Sequence, residues 1–185
     1  MRNQLALLGL LSLGVAGVPA RAQRPGPERL APYVPSPQMV VERMLEAAGL
    51  RPGETVYDLG CGDGRIPITA AREFKAKGVG IELSADLARQ AQDQVSKMGL
   101  QNRVTIIQGD LLAADFHMAD VVTLYLLTSS NERLKPLLEK SLRPGARVVS
   151  HDFVMRGWKP EDVETVQATN RTHTIYVYLM PQRAK

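Results

Sequence analysis

From residue 36 onward the apolar positions switch repeatedly between helical spacing and short strand-like runs, and these switches divide the chain into elements. Met39, Val40, Met44, Leu45 and Ala48 keep helical spacing. Ser36 reads as the N-cap, Pro37 as the first helical residue and Gly49 as the stop. "ETVYDL" is a strand, and residues 66–74 form a helix that tolerates Pro67 in its first turn. "KGVGIEL" is the second strand, followed by the helix "ADLARQAQDQVSKMGL", which Ser84 or Asp86 starts. "RVTIIQGDLL" and "ADVVTLYLL" are the third and fourth strands. "NERLKPLLEKSL" is a helix with Pro136 near its start, and "GARVVSHDF" is the fifth strand.

This alternation argues an α/β fold, a Rossmann-like sheet with helices on both faces. After the fifth strand it breaks. "EDVETVQATN" and "THTIYVYLM" read as two further strands meeting around residues 170–171, with no helix between them. A seven-strand sheet closed by a C-terminal antiparallel hairpin is expected.

The N-terminus follows another pattern. Arg2 precedes an apolar run over residues 5–18, and "PARA" places Ala20 and Ala22 in an A-x-A arrangement. This reads as a signal peptide over residues 1–22, cut before Gln23, and so as an exported or membrane-associated protein. The run is short of the roughly 20 residues of a membrane span, but a retained anchor is the alternative and leaves the domain on the cytoplasmic side. Residues 23–35 are proline-rich and extended, and residues 36–185 form the domain proper.

The net charge of the chain is +4. Residues 1–22 contain Arg2, Arg21 and no acid, so the remainder carries +2, without a Lys/Arg stripe. That balance argues against nucleic acid as a partner. The single cysteine, Cys61, excludes an intramolecular disulfide.

Cys61 lies in "DLGCGDGR", residues 58–65, between the first strand and the next helix. A strand, a glycine turn and a helix form a nucleotide-binding arrangement. Gly60, Gly62 and Gly64 give G-x-G-x-G; Asp58 ends the strand and Asp63 sits inside the turn. Two carboxylates repel a pyrophosphate. They suit a ligand with positive charge beside its ribose, which describes S-adenosylmethionine. Glu82 ends the second strand, where an acid accepts both ribose hydroxyls. Leu83 beside it packs on an adenine face. Asp110 follows the third strand, placed to accept the adenine amino group, with Leu111 next to it. Cys61 is small enough for the loop, and packing is its expected part there.

"VYDLGCGDGR", "GIEL", "QGDLL" and the closing hairpin resemble the class I, seven-strand S-adenosylmethionine-dependent methyltransferases. "PYVPSP", "VVTLYLL" and "ARVVSHDF…GWKP" resemble a narrower group within them. That group includes the mitochondrial lysine methyltransferases acting on membrane-embedded carrier and ATP synthase subunits. The resemblance implies a cofactor site at Asp58, Gly60, Gly62, Glu82 and Asp110, with the Tyr33 segment closing over it.

On the acceptor side the expected catalytic residue is Tyr125, at the end of the fourth strand. Phe153, Trp158 and His151 are the expected channel residues, walling a path in which desolvation favours a neutral lysine amine. The D/N-P-P-Y signature of amide or base methylation is replaced by "YLLTSSN". His117, His151 and His173 are scattered in sequence, so no metal cluster is expected. The expected reaction is methyl transfer to a protein lysine. A small-molecule methyltransferase and a non-catalytic adenosyl-ligand binder are the alternatives.

Overall fold

Valine-rich central strands and amphipathic helices build one sheet with two dressed faces. A computed structural model describes residues 30–181, so the expected N-terminal signal or anchor and residues 23–29 of the proline-rich segment lie outside the described residues. The elements are α1 (Gln38–Ala47), β1 (Thr55–Leu59), α2 (Arg65–Glu73), β2 (Lys77–Glu82), α3 (Ala85–Lys97), β3 (Val104–Gln108), β4 (Val121–Leu124), α4 (Thr128–Ser141), β5 (Arg147–His151), β6 (Asp162–Ala168) and β7 (Arg171–Leu179). The sheet order is β3-β2-β1-β4-β5-β7-β6. The first five strands are parallel, and β7 runs antiparallel to both β5 and β6.

Alternation assigns the faces. Val56, Val121, Val149, Ile175 and Val177 pack under Val40, Val41, Met44 and Leu45 of α1. The α2 and α3 helices continue this layer through Ile68, Ala71, Ala88 and Ala91. On the other face Leu59, Val122, Leu124, Val148 and Tyr178 meet Leu134 and Leu138 of α4. Helices therefore cover both faces, but unevenly: three on one, and among the described residues only α4 on the other.

Several local readings change. Ser36 does not cap α1; no side chain does, and the Ser36 hydroxyl is taken by His151 instead. Met39 points outward and is exposed. The third and fourth strands stop at Gln108 and Leu124, so Asp110 and Tyr125 stand in loops just beyond them. Pro136 sits well inside α4, because the helix begins at Thr128 rather than near Asn131. Ser84 does cap α3, accepting from the Leu87 amide.

Candidate active site

The strand order reverses between β1 and β4, and outside the carboxyl ends of β1–β4 lies a cleft, the place such sheets hold ligands. Its floor includes Asp58, Gly60, Gly62, Glu82, Leu83, Asp110 and Leu111; residues 30–36 roof it. Gly62 has φ +54°, and a Cβ there would stand 2.4 Å from Cε2 of Tyr33. Only glycine permits that backbone and that approach together. Tyr33 thus sits directly on the loop. Arg65 fastens roof to floor: Nη1 donates to the Ser36 carbonyl at 2.7 Å, while Nε and Nη2 grip the Asp63 carboxylate.

The Arg65 pair changes the electrostatic reading of the loop. Although partial burial works the other way, Arg65 holds the Asp63 carboxyl below its usual range. Asp63 is thereby neutralised within the protein, and the ligand-facing charge falls to Asp58, Glu82 and Asp110. The Asp58 side chain is fully buried and accepts from Oγ1 of Thr123 at 2.8 Å. Burial pushes its carboxyl up to about 7; the Thr123 hydrogen bond opposes this, and the charges of Glu82 and Asp63 add to it. Glu82 takes the Gly62 amide on Oε2 at 2.9 Å and the Ser84 amide on Oε1 at 2.8 Å. It therefore shapes the glycine loop as well as facing the cleft. Asp110 accepts the Leu112 amide at 2.9 Å, which turns the chain after β3. Cys61 is part of the cleft lining; its side chain packs against Gly80 of β2, and burial pushes its thiol far up.

On the acceptor side Tyr125 lines the same cleft. Its ring stacks on His151 at 3.8 Å and meets Phe153 at 6.0 Å. Burial pushes its hydroxyl above the usual phenol range; the nearby Asp152 charge adds to this and Arg171 opposes it. His151 is fully buried beneath Tyr125, joined to Ser36 Oγ and to His173, so it supports the cleft rather than lining it. Trp158 is not brought to this site. The loop after β5 turns back along the sheet, and Trp158 packs edge-on to Tyr178 with Nε1 donating to Glu139 of α4. Sequence reasoning places Asp152 beside His151 after the fifth strand but misses Arg65, Thr123 and Arg171. The spacing of Asp63 and Arg65 was a local signal for the first; the others are joined only by strand pairing.

Residues 58–162 match the family model described as the ANTKMT methyltransferase domain. The chain belongs to that family. A protein-lysine N-methyltransferase of Saccharolobus islandicus (strain REY15A) is 50% identical to this methyltransferase over 80% of its chain and 93% of the relative. The mouse adenine nucleotide translocase lysine N-methyltransferase is 33% identical, over 82% of this chain and 62% of its own length. A solved structure titled as an RNA methyltransferase from Salinibacter ruber in complex with S-adenosyl-L-homocysteine has a TM-score of 0.76 at 46% identity; the match covers 82% of this chain and 97% of that one.

S-adenosylmethionine is the cofactor of this methyltransferase. The residues present fit it. Glu82 retains acceptor capacity for a ribose diol beyond its two backbone amides. The buried Asp58 gains a partner when a cation enters, and Leu83, Leu111 and Tyr33 supply apolar walls.

Proposed function

We propose that this methyltransferase transfers a methyl group to the side-chain amine of a protein lysine. The observation that carries the reading is the acceptor side of the cleft. There Tyr125 lines the cleft wall, and the Phe153 ring packs against Tyr125 from outside the lining. An aliphatic stem and a neutral amine suit such a wall, since desolvation disfavours the ammonium. The lysine-methyltransferase names of relatives at 50% and 33% identity support it.

The cofactor supplies an electrophilic methyl on a sulfonium. The protein supplies alignment and exclusion of water, which set the rate of an in-line displacement. Glu82 and Asp110 hold the nucleoside, the Tyr33–Ser36 roof covers it, and Tyr125 presents the incoming amine. Membrane-embedded substrates suit an enzyme whose residues 5–18, if retained, anchor it; export with cleavage before Gln23 is the other fate of that segment.

The RNA methyltransferase title of the Salinibacter structure favours a second reading, RNA. One assay separates them. Purified protein is given methyl-labelled cofactor and three fractions: membrane protein, nucleic acid, and small metabolites. Label on lysine in the protein fraction is the expected result; label confined to RNA or metabolites rejects it. In the same assay Tyr125→Phe lowers turnover more than cofactor affinity, because its hydroxyl acts on acceptor geometry.

A further inference from the structure

The β5–β7 pairing gathers what the sequence scatters. Ile175 lies opposite His151, and His173 reaches the same end of the sheet two residues earlier. His151 Nε2, His173 Nδ1 and Asp152 Oδ2 form a triangle with sides 2.8, 3.2 and 3.4 Å. Donors about 2.1 Å from one ion, at angles of about 84–108°, are separated by such distances, as in zinc-type N/O coordination. The absence of a metal cluster expected from the scattered histidines therefore rests on a premise the fold removes.

The geometry points to a divalent transition-metal site, of zinc or cobalt type, held by His151, Asp152 and His173 behind the acceptor tyrosine. Three further features support it. Both rings are buried, at 0% and 3% exposure, so their facing nitrogens are fixed in place. His151 Nδ1 lies 2.9 Å from Ser36 Oγ, the outer partner that turns Nε2 inward as a ligand. His173 makes its polar contacts through Nδ1, the nitrogen that faces the triangle.

Without metal these donors are badly matched to one another. A single proton shared between two facing ring nitrogens leaves the adjacent carboxylate poorly served. A cation already answers that need: Arg171 Nη2 contacts Asp152 Oδ2 and lies 3.4 Å from His173 Nδ1. The Arg171 side chain is 55% exposed and free to swing out when a metal replaces it. Metal entry needs both facing nitrogens to offer lone pairs; the His151 proton then sits on Nδ1 and is donated to Ser36.

The test uses the tag-free chain, stripped with chelator and dialysed. Cobalt(II) titration followed by visible absorption, with zinc competition, reads the site. The wild type binds one equivalent. Ser36→Ala weakens binding about tenfold, as loss of an outer partner does, and Asp152→Asn by more than about a hundredfold. Arg171→Ala tightens it, because the competing cation is gone. His117→Ala controls for the exposed His117–Asp115 pair and leaves the titration unchanged. The inference is overturned if the wild type binds no stoichiometric cobalt, if Asp152→Asn binds as well as wild type, or if removing His117 abolishes the signal. Asp152 and Arg171 are partly exposed, so these two variants report even where a histidine variant fails to fold.

Discussion

Asp58 illustrates how a single residue is set against stability for function. Its carboxyl is raised to about 7 in the folded protein and lies near 3.9 in the unfolded chain. The neutral form therefore favours folding, and this contribution is lost as pH rises from about 4 through about 7, by at most roughly 4 kcal/mol. Asp58→Asn mimics the neutral form. We expect it to match the wild-type melting temperature near pH 4 and to exceed it by several degrees at pH 8. Cofactor affinity should fall in the variant, and in the wild type it should weaken about tenfold per unit below pH 7, where the carboxylate needed opposite a cation is protonated. Calorimetry across pH checks both halves; identical wild-type and variant melting profiles would count against the buried-charge account. Glu82→Gln keeps an acceptor for the Gly62 amide but removes the charge, so affinity should fall by roughly 2–4 kcal/mol, a factor of about 30–1,000, with the fold retained.

At the level of elements, periodicity made nearly every helix and strand legible. It did not show where strands end. Tyr125 continues an apolar run, yet it leaves the ladder because β5 pairs only as far as Leu124. Nor could it reveal Ser36 on His151, a contact across 115 residues that a local capping rule read as a helix start. That Asp58, Glu82 and Asp110 share one cleft was legible because each stands at or just past the end of its own strand. The acceptor half was not, because Asp152, Arg171 and His173 meet only through an antiparallel register. The hairpin between β6 and β7 turns at Thr169 and Asn170, both with positive φ, +49° and +62°. A β-branched residue is strained in that conformation, and Asn-Gly is the preferred pair. The double variant Thr169→Asn with Asn170→Gly should gain about 1 kcal/mol, or about 2–4 °C in melting temperature. A lower melting temperature would argue that Thr169 makes a compensating contact.

In the molecule as a whole, Arg65 ties the roof to the glycine loop by joining the Ser36 carbonyl to Asp63. Cofactor entry and exit require the roof to part from the loop. Arg65→Ala should therefore raise the cofactor dissociation rate by more than the association rate, measurable by stopped-flow fluorescence using Trp158, which is remote from the cleft, as an internal reference. The sheet order also imposes a schedule on synthesis. β1 to β4 and their acids emerge first, and that half can assemble around its own core. β5 then waits with an unpaired edge, since its partner is β7 and not the earlier-made β6. A growing chain thus carries a sticky edge until residues 171–179 leave the ribosome. The strand that covers this edge also delivers Arg171 and His173. The acceptor half of the enzyme is consequently finished at the moment the chain ceases to be at risk of aggregation.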